Sequence, residues 1–236
     1  MFRRSMIGAT VCALTLALGA YAMSGGNPNP GINPPHSHAH GKTYGEWASS
    51  WWQWALGIPA DRSPLLDDSG QFCGEGQDGP VWFLPTNFGW DAEKYATVPE
   101  GKAIFMPIFQ VVFGEAVYDC GASNPSVPCD VPTLRDTAAA NIMPAEVLLV
   151  TIDGVVVEEP FAYRAFSPEP FSIYLPEGNV VGLPEGDYSP NVADGFWLML
   201  APLAPGEHEI STYVYAPDTP YFGTIEYTVI THLTVE

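Results

Sequence analysis

Strict alternation of apolar and polar positions marks the end of the chain. Ile225, Tyr227, Val229, Thr231, Leu233 and Val235 share one face, and Glu226, Thr228, Ile230, His232 and Thr234 share the other. That period of two predicts a strand with one side buried, and it puts His232 on the more polar side. Runs rich in β-branched and aromatic residues predict further strands at Val81–Leu84, Ala103–Phe113, Phe171–Leu175, Phe196–Leu200 and His208–Tyr215. Pro107 inside the second run predicts an edge position or a bulge. Val147–Ile152 and Val155–Glu158 flank Asp153-Gly154, a dipeptide suited to a two-residue primed turn, and so predict a hairpin. The Pro- and Gly-rich residues 176–194 read as a long loop, a lid or a rim.

Helical spacing occurs twice. Tyr44, Trp47, Trp51 and Trp54 recur at intervals of 3, 4 and 3, one face of a helix. Thr43 caps it, Glu46 completes a capping box, and Gly57 and Pro59 stop it. A second, shorter helix is predicted over Thr133–Asn141, ahead of Pro144. Many short strands with Gly/Pro turns and few helices predict an all-β fold. The expected form is a β-sandwich, Ig-like or jelly-roll-like, with an N-terminal Trp-rich helix and one short internal helix. Residues 43–236 are read as one domain.

The first 22 residues carry Arg3 and Arg4, an apolar run from Ile7 to Leu18, and Ala20-Tyr21-Ala22. This is the layout of a secretory signal cleaved after Ala22, and it predicts a secreted or periplasmic protein. No later stretch approaches the roughly 20 apolar residues of a membrane span. Residues 23–42 are rich in Gly, Asn, Pro and His and are expected to be a flexible leader. The mature chain then holds six basic residues against 27 acidic ones. So acidic a surface excludes nucleic acid and anionic lipid as partners, and it keeps divalent cations in play. Of the three mature cysteines, Cys120 and Cys129 bracket a short loop and are the natural disulfide pair. Cys73 is left over, either free and buried or paired with a second chain.

Candidate chemistry is sparse. No G-x-S-x-G, H-E-x-x-H, C-x-x-C or P-loop occurs. Gly74, Gly76 and Gly79 spell G-x-G-x-x-G, but Pro80 and a strand follow where the dinucleotide fingerprint needs a helix. The surrounding loop carries Asp67, Asp68, Glu75 and Asp78, an oxygen-rich set for calcium that lacks EF-hand spacing. His36, His38 and His40 alternate and can bind copper, nickel or zinc when extended. A copper brace wants a histidine at the mature N-terminus, where this chain has Met23. The aromatic excess (Trp47, Trp52, Trp82, Trp90 and Trp197) forms the candidate surface for a glycan or an envelope partner. Trp52 lies off the helical stripe and is expected to be the more exposed. A non-catalytic ligand- or partner-binding protein therefore ranks first. A secreted hydrolase acting through carboxylates on a polysaccharide or ester ranks second, and a calcium- or copper-binding protein third.

Tyr44-Gly45-Glu46-Trp47, Trp51-Trp52-Gln53-Trp54 and Gly79-Pro80-Val81-Trp82-Phe83-Leu84 together resemble a group of exported, mostly bacterial proteins of unknown function. The likeness runs on through Val98-Pro99-Glu100-Gly101-Lys102-Ala103, Gly195–Leu200, Pro205-Gly206-Glu207-His208 and His232-Leu233-Thr234-Val235. It implies an exported globular domain and no particular activity. It also implies a cysteine just before the Val-Pro turn to partner Cys73. This chain has Tyr95-Ala96-Thr97 there, which leaves Cys73 without that bridge.

Overall fold

The structure is a computed structural model that describes residues 29, 31–117, 120 and 129–236. The expected signal peptide, the leader up to residue 28 and residues 121–128 of the cysteine-closed loop lie outside the described residues. The Trp-bearing helix is α1, Tyr44–Leu56, and its capping box is present: Thr43 Oγ1 accepts from Glu46 N at 3.2 Å, and Glu46 Oε2 accepts from Thr43 N at 2.7 Å. Its Tyr44, Trp47, Trp51 and Trp54 are buried, as the stripe predicts. The strands are β1 Val81–Phe83, β2 Ala92–Val98, β3 Ala103–Gly114, β4 Val147–Ile152, β5 Val155–Val156, β6 Arg164–Phe166, β7 Phe171–Leu175, β8 Gly186–Leu200, β9 Gly206–Thr219 and β10 Gly223–Val235. The internal helix is α2, Val131–Ile142, capped by Asp130 with a proline in its first turn.

Among the described residues the strands form two five-stranded sheets. One runs β1-β3-β8-β6, with β7 also paired to β8, and the other runs β2-β10-β9-β4-β5. β3 and the second half of β8 are buried on both faces, which is why they read as continuous apolar runs. One face receives α1: Phe105 and Trp197 stack with centroids 5.3 Å apart, and Trp51 packs edge-on to Trp197 at 5.6 Å. The other face meets the second sheet, where the Tyr227 hydroxyl donates to the Ile108 carbonyl at 2.9 Å. Gly45 lets the helix sit this close to β6, because an added Cβ would run into the Phe166 carbonyl. β10 buries Tyr227, Val229, Leu233 and Val235, the face its alternation predicts. The shift between Pro107 and Phe109 in the β3–β8 register is the irregularity expected at Pro107. Asp153 and Gly154 both take positive φ, as the primed turn requires.

Four expectations are corrected. Trp52 is not exposed; it is only 5% accessible, packed edge-on against Trp51 at 5.0 Å. Residues 186–194, read as loop, belong to β8, because β7 pairs with Gly186–Tyr188 and Asn191 and β3 with Asn191–Asp194, and these ladders hold the Gly, Asp and Asn that signal turns elsewhere. The pairing of β2 with β10 is parallel and spans Ala92–Val98, a segment with no strand expectation. Residues 31–42 are laced to the domain rather than free. Ile32 is buried and bridges Leu200, Asn33 N donates to Met199 O at 2.8 Å, and Trp47 Nε1 donates to Ala39 O at 2.9 Å.

Candidate ligand-binding site

The two sheets stop short of each other on one side. β1 pairs with β3 over Ala103–Phe105 only, while β3 continues to Gly114. β2 meets β10 only from Val229 onward, while β10 begins at Gly223. Each of these stretches thus has a strand neighbour on one edge only among the described residues, β8 beside β3 and β9 beside β10, and a cavity of about 220 Å³ lies between them. Phe109, Val111 and Phe113 of β3 form one wall, and Ile225 and Tyr227 of β10 form the other. Trp52 and Gln110 close the side toward α1, with Val181 and Val117 beside them.

Two self-bonded turns build the rim. Asn87 Oδ1 accepts from Gly89 N at 3.0 Å and Trp90 N at 3.2 Å, and its Nδ2 donates to Trp90 O at 2.7 Å. This Asx-type closure holds Phe88 and Trp90 outward with their rings 6.2 Å apart. Trp90 Nε1 is pinned by Asp68 at 2.7 Å. Opposite, Tyr221 and Phe222 pack edge-to-face at 4.9 Å in the β9–β10 turn. Tyr221 N donates to Asn141 Oδ1 of α2 at 2.9 Å. Phe88, Trp90, Tyr221 and Phe222 are all exposed.

Two of the residues that line the cavity each hold a buried polar atom with no partner among the described residues. Trp47, Trp51 and Trp54 each donate their indole N–H, to Ala39, Leu84 and Glu75 carbonyls respectively. Trp52 Nε1 is buried without a partner among the described residues, and so is Gln110 Oε1. Ser37 Oγ, Trp82 Nε1 and Trp197 Nε1 share that state but do not line this cavity. A buried unpaired donor or acceptor costs about 1–3 kcal/mol and calls for an explanation. Among the described residues, Tyr221 and Tyr227 are the ionisable groups that line the cavity; burial raises the pKa of the Tyr227 hydroxyl far above its usual range.

The remaining sequence candidates lie elsewhere. Trp47, Trp82 and Trp197 are buried in the core, so of the five tryptophans only Trp52 lines the cavity and only Trp90 reaches its rim. Asp67 accepts from Ser69 N, Ser69 Oγ and Phe72 N at 2.6–2.9 Å. Burial pushes its pKa up, but these bonds and Lys94 outweigh it and bring it below the usual value. Asp78 accepts from Gly79 N at 2.7 Å, and Glu75 pairs with Arg62 at 2.8 Å. His36, His38 and His40 are exposed. Among the described residues, no three His, Cys, Asp or Glu side chains come together in a metal-holding group. Cys120 and Cys129 form the expected disulfide, and Cys73 is free and buried.

Sequence reasoning missed the residues that shape the cavity. Gln110 had a signal, being the one polar side chain between Ala103 and Phe113. Tyr221-Phe222 had another, an aromatic pair inside a Pro-to-Gly turn. It also missed Lys94, which is fully buried and donates to the Pro64 carbonyl at 3.2 Å and to the Asp67 carbonyl. Burial lowers its pKa. It ties the 64–73 loop to β2.

No family model and no curated protein matches the chain. Among solved structures, that of PbICP-C in complex with falcipain-2 is similar at 13% identity, covering 67% of this chain and 100% of the matched chain. Its TM-score of 0.23 is too low to carry an argument about fold or partner. No helix among the described residues is long and apolar enough to cross a membrane.

Proposed function

We propose that this protein is an exported, non-catalytic binding protein of β-sandwich type, whose ligand occupies the aromatic cavity between the open stretches of β3 and β10. The observation that carries this is a cavity of about 220 Å³ lined by aromatic and aliphatic side chains, with Asn87 and Gln110 as polar residues among them and exposed Phe88, Tyr221 and Phe222 at its rim. Binding sites are apolar pockets with a few placed polar groups, and this one has that composition. Among the described residues the lining holds no carboxylate, histidine, lysine or cysteine, which favours binding over hydrolysis, since acid–base work needs such a group within reach. The Cys120–Cys129 disulfide fits an oxidising compartment, and facing sheets joined by Tyr227 support the sandwich reading.

An engineered cavity of about 150 Å³ holds benzene, so 220 Å³ accommodates a substituted ring. Ligand-observed NMR with toluene and benzamide tests the proposal. Both probes are expected to bind, and Ile225→Trp at the half-buried wall should block both. Failure of either probe to bind wild-type protein sinks the proposal.

A further inference from the structure

We infer that the cleft between α2 and β6 is a second binding site, which takes a small monocarboxylate with an apolar body. It shares no lining residue with the aromatic cavity and does not rest on the reading above. The cleft measures about 440 Å³, within the range of small-molecule sites. Arg135 and Arg164 both line it, two of the six basic residues in a mature chain with 27 acidic ones. Arg135, Ala138 and Ala139 stand three and four positions apart, on one face of α2, and the two alanines leave the room. Arg164 and Phe166 alternate on β6, and Asp194 of β8 lies opposite Phe166 in the ladder, so these three share the facing side of the sheet.

Each guanidinium is fixed by the protein along one edge and keeps the other. Arg164 grips Asp194 through Nε at 3.1 Å and Nη2 at 2.8 Å, and the Asp194 side chain is only 7% accessible. Arg135 donates from Nη1 to the Ser167 carbonyl at 2.8 Å and from Nη2 to the Pro168 carbonyl at 3.0 Å. That segment is itself anchored: Ser167 N donates to Ala193 O at 2.9 Å, and Ser167 Oγ accepts from Ala193 N at 3.1 Å. A guanidinium has five N–H donors. The Nη1–Nη2 edge of Arg164 and the Nε edge of Arg135 therefore keep donors with no acceptor among the described residues. Such an edge matches a carboxylate with two parallel bonds, and arginines already held in place lose little freedom on binding.

Charge and shape narrow the ligand. Asp194 neutralises Arg164, whereas carbonyls leave the charge of Arg135 uncancelled; exposed Asp136 is the other carboxylate in the lining among the described residues. A single negative charge fits that balance, and a doubly charged phosphate is repelled by so acidic a chain. The Phe166 ring lies 5.7 Å from the Arg135 guanidinium and is 60% exposed, which sets an apolar surface beside the anion-binding edge.

Saturation-transfer NMR on the mature protein tests this with benzoate, benzyl alcohol and phenyl phosphate. Benzoate should bind at least tenfold more tightly than either of the others. Arg135→Gln should cut benzoate affinity tenfold or more, and Arg135→Lys should restore little, because an ammonium keeps the charge but lacks the planar edge. Ala139→Leu keeps a good helix former and fills the cleft, so it should block benzoate while circular dichroism stays unchanged; if Arg135→Gln unfolds, Ala139→Leu decides alone. Ile225→Trp, in the aromatic cavity, should leave benzoate affinity within twofold. No benzoate binding to wild-type protein, equal binding of the three probes, or tighter phenyl phosphate overturns the inference. Loss of benzoate in Ile225→Trp also overturns it, by assigning benzoate to the aromatic cavity. Toluene binding reads that cavity separately, so the two proposals fail independently.

Discussion

Trp51 and Trp52 are adjacent, buried and chemically identical, yet only one has a partner for its indole N–H. Trp51 Nε1 donates to the Leu84 carbonyl at 3.1 Å, and Trp52 Nε1 has none among the described residues. Truncating each to phenylalanine removes the same atoms from two sites that are 0% and 5% accessible. The lost apolar burial and the residual void cost about 1–2 kcal/mol at either site, a fraction of the 3–5 kcal/mol for full truncation. Trp51→Phe adds an orphaned carbonyl, about 1–3 kcal/mol more. Trp52→Phe instead deletes a buried donor that was already unpaired, which returns a similar amount. Trp51→Phe should therefore destabilise by about 2–5 kcal/mol while Trp52→Phe lies near zero, a gap of roughly 3 kcal/mol. Urea unfolding of ligand-free mature protein reads both, provided the m-values agree. Equal losses within about 0.5 kcal/mol would show that the Trp52 N–H is satisfied in solution and would refute the unpaired donor.

Gly45→Ala drives a methyl group into the Phe166 carbonyl and should cost about 3 kcal/mol or more, by overpacking between helix and strand; a mutant melting like wild type would contradict the close approach. His208 Nδ1 lies 2.7 Å from Asp153, which raises its pKa above the ordinary 6.5. A raised histidine pKa stabilises the fold fully below about pH 6.5 and loses that contribution as pH climbs through the folded-state value. Melting temperature should accordingly decline over that rise, and Asp153→Asn should flatten the decline; an unchanged slope in the variant would refute the assignment. Cys73 is 2% accessible, and burial pushes its thiol up to about 12. Its alkylation at pH 8 should be on the order of 10³-fold slower in native than in urea-unfolded protein, and full labelling of native protein within minutes would exclude the buried thiol.

The helix, the hairpin and the last strand were legible because each carries its period and its stop signal locally: Thr43 with Glu46, Asp153-Gly154, and the alternation from Ile225 to Val235. The start of β8 was not, since Gly186-Asp187 and Pro190-Asn191 look like turns until their pairing with β7 and β3 is supplied. Trp52 was expected to be exposed and is buried. Helical spacing says only that it leaves the stripe, and its burial depends on β3, more than 50 residues away in sequence. The cavity itself is a property of where two strands end relative to their partners. No local pattern in Val81–Phe83 announces that β1 stops while β3 continues.

The same strand pairing bears on how the chain reaches its native state. Among the described residues β2, at Ala92–Val98, has β10 as its only strand partner, at Val229–Val235, and β3 waits for β8 at Asn191–Leu200. Neither sheet can close until its late strands are available, so loop-closure entropy is spent before long-range contacts return it. Until then the run from Ala103 to Phe113, among the most apolar in the domain, is unshielded. Slow, late collapse is the expected kinetic signature, with a window in which Ile104–Phe113 is open to any binder of unfolded chains.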